Sequence, residues 1–539
     1  MQRDPSHGDG VEALVGDYLA AREPHDRDVL TADDARGAVA AVLALGRSRR
    51  PGERIVRVAN PTREADGWES PHTVVDVVSD DAPFLVDSVS TALARRGYDL
   101  HLVFRPLIDV PEVGLTSHLH LEVDRESDVA VLGALRVAIE SVVDDVSAAV
   151  ADWDAMRAAV GEFSAGLRAS PPDGVAPEET AEVTTYLDWL AADHYTFLGA
   201  VTVDQHGELV AGSELGVARR RPLFELDDVD PAPVGLLTLT RARTRSTVHR
   251  DIPLDSVTVR RLRADGTTAG ELRLLGLYTA NVYSDSVEFI PVVRHKVARI
   301  LAESGFAPGG HDHRTLSHVL ATYPRDELFR LSTDELAVLT TAIVGMGLRR
   351  RVRLFVSRDQ VGCFVSCLVY LPRDRYTTSV RLHVIDALRR AYGGGDADFT
   401  VLVTEEVMAR LHIVVDTAAG VPDVDAVALE AEIAALVRTW VDDLHDAFVD
   451  ARGEEEGIEL LRAWRDAFPL SYRSEVPAAV AVTDVDVLAG LQPDGDLQVR
   501  LEPPMAEAVA HVKLYRAGRA LVLSDVMPLL EHLGVTVVD

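Results

Sequence analysis

Valine-rich alternation of apolar and polar positions runs through "HTVVDVVSD" (residues 72–80) and predicts a β-strand. Asp81 then stands where a helix N-cap is favoured, and Pro83 suits a first helical turn. Leu85, Val89 and Leu93 recur four apart, the mark of one buried helix face, and Gly97 is placed to end that helix. "DLHLVFRPLIDV" (99–110) and "TSHLHLEVD" (116–124) predict a strand hairpin. Residues 129–160 predict one long helix or a broken pair. The order β-α-β-β-α is a split-βαβ, ferredoxin-like pattern over residues 71–170.

The same reading organises the rest of the chain. Residues 1–70 carry two helical patterns and then a loop rich in proline, glycine and charge. "RASPPDGVAPEE" (168–179) reads as a linker. Residues 180–330 read as a helix, meandering strands with turns at Asp204–Gly207 and Asp265–Gly266, and a strand-then-helix at "VEFIPVVRHKVARILAESG". Residues 332–470 read as β-β-α-β-β-α, a permuted counterpart of the first pattern, followed by helices interrupted at "GEEEG". A helical connector and linker (471–500) precede a final strand, turn and helix within residues 501–539, with Ser524 as helix cap and Gly534 as its stop. That last segment, which closes on the start of a strand, is half of a ferredoxin-like unit and does not cover a sheet face by itself, so either a longer parent chain or donation of its last strand elsewhere is expected. The length suits several domains.

Charge narrows the choice of partners. Acidic residues number 86 against 54 basic ones, a net charge of −32, which disfavours nucleic acid and anionic membranes. No apolar run reaches the length of a membrane span, no secretory signal is present, and a cytoplasmic location is expected. Cys363 and Cys367 read as small buried apolar side chains. His311, Asp312, His313 and His318 cluster in "GGHDHRTLSH", yet do not make a convincing metal set, and no metal site is expected. His118 and His120 share one face of a strand and read as a polar face or as packed neutral histidines. No Walker A sequence and no dinucleotide fingerprint occurs, and the only lysines are Lys296 and Lys513. No catalytic or cofactor-binding residue is assigned. Asp80, Asp81, Pro83, Phe84, Asp87 and Ser88 form a candidate effector loop, because helix N–H groups favour an anion and the carboxylates an ammonium. The competing reading is plain helix capping by Asp81. "YPRDELF" and "YLPRDRY" offer Arg325–Asp326 and Arg373–Asp374 as an Arg–carboxylate grip on a ligand or neighbouring domain, or as structural turns with a local ion pair.

These motifs carry a resemblance. "VVSDDAPFLVDSVSTALARRGYDLHLVFRPLIDV", "DWLAADHYTFLGA", "YPRDELF", "RVRLFVSRDQVGCFVSCLVYLPRDRYTTSVR" and "LYRAGRALVLSDVMPLLEHLGVTVVD" resemble, in this order, the N-terminal regulatory half of the large bacterial NAD-specific glutamate dehydrogenases. The resemblance implies an α+β fold. ACT-type ferredoxin-like modules are expected at 71–170, 332–470 and, in part, 501–539, with a PAS-like antiparallel module at 180–330. It implies NAD for the full-length enzyme, a dehydrogenase domain further along the same chain, an amino-acid effector and homo-oligomerisation. This portion is then expected to be inactive alone, with no cofactor of its own. The alternative is a stand-alone ACT/PAS-like sensor or assembly protein with no enzymatic activity.

Overall fold

A computed structural model describes residues 8–22, 31–110, 114–222, 235–263, 265–347, 349–359, 362–404, 406–417, 420–493, 495–502, 511–534 and 536. The chain divides into two compact units. One comprises Met1–Arg349 with Arg358–Val365 and Thr417–Val421, and the other holds the remainder.

The first sheet of the first unit joins β1 (Ile55–Ala59), β2 (Thr73–Asp80), β3 (Leu100–Phe104), β4 (Leu107–Val110) and β5 (Gly114–Val123). Its order is β1-β2-β5-β3, with β4 also on β5. Strands β3 and β4 are one edge interrupted at Arg105–Pro106, where the proline carbonyl still accepts from the His118 N–H at 3.1 Å. The order is that of a ferredoxin-like sheet whose fourth position is filled by β1, a strand that precedes the others in the chain. "IVRVA" lies in the stretch whose composition predicts a loop, yet it is a strand, with Val56 paired to Val77 and Val58 to Val75.

Period-two alternation sends Val75, Val77, Leu119, Leu121 and Val123 to one face, beneath helices Leu85–Ala94 and Val129–Ala151. Leu85, Val89 and Leu93 all turn inward on that face. Each such side chain contributes roughly 1.5–3 kcal/mol by leaving water. Val74, Leu102, Phe104 and Ile108 line the opposite face, beneath helices Gly8–Ala20 and Ala32–Ser48. A sheet covered on both sides explains why β2 is buried at every position but its last, its threonine, aspartate and serine included. Helix Ala32–Ser48 approaches closely through two glycines. A Cβ on Gly46 would lie 2.0 Å from the His118 ring, and one on Gly37 2.4 Å from Trp68.

Helices Val129–Ala151 and Trp153–Ala169 are a pair broken at Asp152. A second antiparallel sheet follows: β6 (Tyr195–Val203), β7 (Leu215–Gly216), β8 (Leu237–Arg245), β9 (Pro253–Leu262) and β10 (Thr268–Tyr278), in the order β7-β6-β10-β9-β8. Two expected strands are absent. "GELVAG" makes only a bridge, Val203 to Leu209, before turning at Gly212. "VEFIP" is a 3-10 turn followed by Val292 at φ 69°, since Pro291 has no N–H for a ladder. Helices Val293–Glu303, His311–Thr322, Arg325–Arg330 and Thr333–Met346 complete the unit.

The second unit is built on β11 (Arg353–Arg358), β12 (Phe364–Pro372), β13 (Ala397–Leu402) and β14 (Met408–Asp416), ordered β11-β12-β14-β13. This repeats the first sheet's order, strand for strand. Helix Thr378–Ala391 buries Val384 and Leu388 between β12 and β13 in the chain, and helix Ala426–Leu436 follows β14. Glu430 accepts from the Leu354 N–H at 2.7 Å and pairs with Arg353. Cys363 and Cys367 are buried, as their sequence pattern predicts. Residues 360 and 361, in the β11–β12 turn, lie outside the described residues.

Beyond the sheet, helices Trp440–Arg452, Glu454–Trp464 and Ala478–Gly490 pack Leu444, Phe448, Phe468, Ala481 and Val485 together. Gly453 and Gly457 permit their close turn, a Cβ on Gly457 meeting Val449 N at 2.8 Å. A ribbon of β15 (Leu497–Glu502) and β16 (His511–Arg516) precedes helix Leu523–His532. Ser524 lies inside this helix, whose N-cap is Val522 without a side-chain bond, so the expected serine cap is not formed. Leu497, Val499 and Leu501 present one exposed apolar row on the ribbon. The strand expected at the chain's end falls on residues outside the described ones.

Candidate functional site

The loop after β2 is a docking element. Asp80 pairs with Arg49, and Asp81 pairs with Arg105. Asp81 does not cap the helix. The helix begins at Leu85 behind Phe84, which has φ 67° and gives no side-chain cap, and Pro83 lies before it. Capping needs a side chain adjacent to the first turn, and Asp81 stands four residues upstream. Ser88 turns back to donate to the Phe84 carbonyl at 2.6 Å.

Phe84 packs into the core beside the second sheet, with Val248, Leu254, Leu275 and Leu277. Its ring centre is 4.9 Å from that of His249, which also has a left-handed backbone at φ 69°. The His249 N–H donates to Ser88 Oγ at 2.9 Å, and its Nδ1 lies 3.0 Å from Asp87 Oδ2. Two non-glycine residues held at positive φ cost on the order of 1–3 kcal/mol each, and here they face one another across the contact. Of the six candidate loop residues, Phe84, Asp87 and Ser88 therefore meet the turn at 246–251, while Asp80 and Asp81 are engaged by arginines of their own module.

Beside this contact lies a cleft of about 430 Å³, walled by helices Leu85–Ala94 and Val129–Ala151 on one side and residues 246–251 on the other. Its charged lining is Arg95, Arg96, Arg221 and Arg250 against Asp251. Arg95 reaches Asp251 at 3.3 Å, and Arg221 reaches Asp145 at 3.0 Å and Thr247 at 3.1 Å. Arg250 donates to the Tyr278 carbonyl. None of these arginines was singled out by sequence, although "ALARRGYDL" and "VHRD" display the basic pairs.

"YPRDELF" forms a helical peg. Phe329 stacks on Tyr278 at 4.4 Å, and Lys296 Nζ donates to the carbonyls of Leu328, Phe329 and Leu331 at 3.0, 2.7 and 2.7 Å. Burial pulls the Lys296 ammonium down to about 8. Arg325 and Asp326 do not pair with each other: Arg325 serves the carbonyls of Ala321 and Asp285, and Asp326 accepts from Tyr283 at 2.9 Å. Nearby Asp255, buried and facing Asp326, has its carboxyl raised to about 7, with Arg241 opposing the rise. The void there is only about 20 Å³, room for a water rather than a metabolite. Arg373 serves the Thr404 carbonyl and Asp374 pairs with Arg350. Lys513 pairs with Asp484 at 2.9 Å.

His120 is the centre of a buried ionic network on β5. Its Nδ1 lies 2.6 Å from Asp76 and its Nε2 3.5 Å from Glu122. Glu122 also receives Arg22, Tyr18 at 2.6 Å and Ser70 at 3.1 Å. Burial alone would lower His120, but the flanking carboxylates raise it to about 9, which favours the charged ring over a packed neutral one at this position. Its neighbour His118 is lowered to about 4 by burial, and its Nδ1–H donates to the Val42 carbonyl, 3.2 Å away. Burial would raise Glu122, yet its histidine and arginine partners hold it far below the usual carboxylate range.

Among the described residues no three His, Cys, Asp or Glu side chains are grouped to hold a metal. Among these residues, too, the strand pairs with a resolved register are antiparallel. No helix among the described residues is long and apolar enough to cross a membrane.

The architecture has a known counterpart. The chain matches, in order, the glutamate dehydrogenase ACT1 domain over residues 14–139, helical motif 1 over 290–349, the ACT2 domain over 353–441, helical motif 2 over 447–491 and the ACT3 domain over 496–539. It is 34% identical to an NAD-specific glutamate dehydrogenase of Halomonas elongata, across 98% of this chain and 35% of that protein. Identity is 36% to the Pseudomonas aeruginosa protein of that name, across 89% and 32%, and 29% to the Mycobacterium tuberculosis one, across 92% and 32%. The chain thus spans about a third of the length of these relatives. Ordered ACT and helical-motif domains, on two sheets of one topology, place the chain in the NAD-specific glutamate dehydrogenase family, as the portion that carries its ACT domains.

Proposed function

We propose that this chain is the regulatory and assembly portion of a large NAD-dependent glutamate dehydrogenase. The full protein would oxidise L-glutamate with NAD and water to 2-oxoglutarate, ammonium and NADH in the cytoplasm. The observation that carries this reading is the ordered run of ACT and helical-motif domains across the chain. The engagement of both lysines supports a catalytic site elsewhere, since Lys296 is spent on three carbonyls and Lys513 on Asp484. The exposed row Leu497, Val499 and Leu501 suits a further layer of the longer protein or of a homo-oligomer.

NAD would be held by the dehydrogenase domain, supplying the hydride acceptor there; the residues of this chain hold no step of that transfer. The modules at 71–170, 180–330 and 332–470, the middle one PAS-like, would sense an amino-acid effector. The docking of residues 84–88 against 246–251 supports sensing at this junction, because a ligand that shifts one wall must shift the other. The test is the whole protein assayed for glutamate-dependent NADH formation against a panel of amino acids, with and without residues 1–539. The reading expects an amino-acid response that disappears with the region; an unchanged response rejects it.

A further inference from the structure

We propose that the cleft between helices Leu85–Ala94 and Val129–Ala151 and the turn at 246–251 binds a small dicarboxylate, an assignment that rests on reading this region as regulatory. In a chain of net charge −32, the cleft's charged lining is four arginines against one aspartate. A local excess of guanidinium in an acidic protein is an electrostatic well for an anion. The volume, about 430 Å³, falls at the small-metabolite end of binding sites and excludes a polymer.

The arrangement of the arginines selects the charge pattern. Arg95 and Arg96 come from the end of helix Leu85–Ala94, and Arg221 and Arg250 from the opposite module. A planar guanidinium fork matches a carboxylate through two parallel hydrogen bonds, so two pairs on two walls suit a molecule with an acid at each end. The Nε–H groups of Arg221 and Arg250 are buried without an acceptor among the described residues. Such donors are costly to leave unmade, and a ligand oxygen would satisfy them. Thr247 and Ser88 add hydroxyls to the same lining. A dicarboxylate seated here would bridge the two modules beside the Phe84–His249 contact and hold them together.

Isothermal titration of the 539-residue chain with succinate and with acetate tests this, using wild type, Arg96→Gln and Val137→Glu. Arg96 anchors to its own helix at the Ala92 carbonyl, and Val137 is a 55% exposed lining residue, so both variants are expected to fold. The proposal expects saturable succinate binding at least tenfold tighter than acetate, weakened tenfold or more in both variants. No saturable heat, equal affinity for acetate, or wild-type affinity in both variants overturns it. Binding that leaves the whole protein's activity unchanged would uphold the site and reject the regulatory reading; regulation without binding would reject the site alone.

Discussion

The two ferredoxin-like sheets share a strand order and differ in what they bury. In the first, β2 and β5 place Asp76, His120 and Glu122 in a charged network with Arg22 and Tyr18. In the second, the equivalent central strands β12 and β14 bring Ser366 and His412 together at 2.9 Å. One strand order thus carries different residues at its buried polar positions. The charged network is tied instead to the added layer: Tyr18 and Arg22 come from the N-terminal helical segment, so the ions orient that layer on the sheet. Removing one partner of such a buried network leaves the others uncompensated, which is costly.

The contrast is broken most severely at Glu122. Glu122→Gln leaves Arg22 and charged His120 without their shared carboxylate, and is expected to cost about 3–5 kcal/mol in urea unfolding, with loss of amide protection over helices Gly8–Ala20 and Ala32–Ser48. The pH dependence is the next largest effect. His120, at about 9 when folded against an ordinary 6.5, adds stability that is complete below pH 6.5 and lost as pH rises towards 9. His118, at about 4, removes stability as pH falls from 6.5 towards 4, because only the unfolded ring then takes a proton. The first sheet should be most stable near pH 6.5, falling on the order of 1–3 kcal/mol on either side, as read by amide exchange. A flat profile would show that neither histidine is held as described. Gly46→Ala pushes a methyl into the His118 ring and should cost about 1–3 kcal/mol in thermal unfolding. Smallest, Ser366→Ala in the second sheet should cost only about 1 kcal/mol by the same measurement. A cost there equal to that of Glu122→Gln would erase the distinction.

Much of this fold is legible along the chain. The alternation in β2, the four-residue spacing of Leu85, Val89 and Leu93, and the β-β-α-β-β-α order at 332–470 are local signals, and local signals survive into the structure. Strand β1 is not legible in that way. It is five residues long, mostly half-buried, and defined by pairing with a strand beginning 14 positions after its last residue. The Asp81 cap fails for a related reason: a cap residue is identified by composition, but Arg105, 24 positions away, claims the carboxylate. His120 reads as an ordinary strand histidine until Asp76 is paired opposite it. The arginine cleft is assembled from residues 88–142 and 221–251, and no periodicity links them. What sequence shows of the candidate site is its loop; what it conceals is the partner surface.

The central claim, that this region senses and assembles while catalysis resides elsewhere, meets its most direct test in an assay of the 539-residue chain alone. With glutamate and NAD at saturating concentrations, NADH formation is expected to be indistinguishable from a protein-free control, while the longer protein turns over. Measurable, glutamate-dependent turnover by the chain alone would contradict the account.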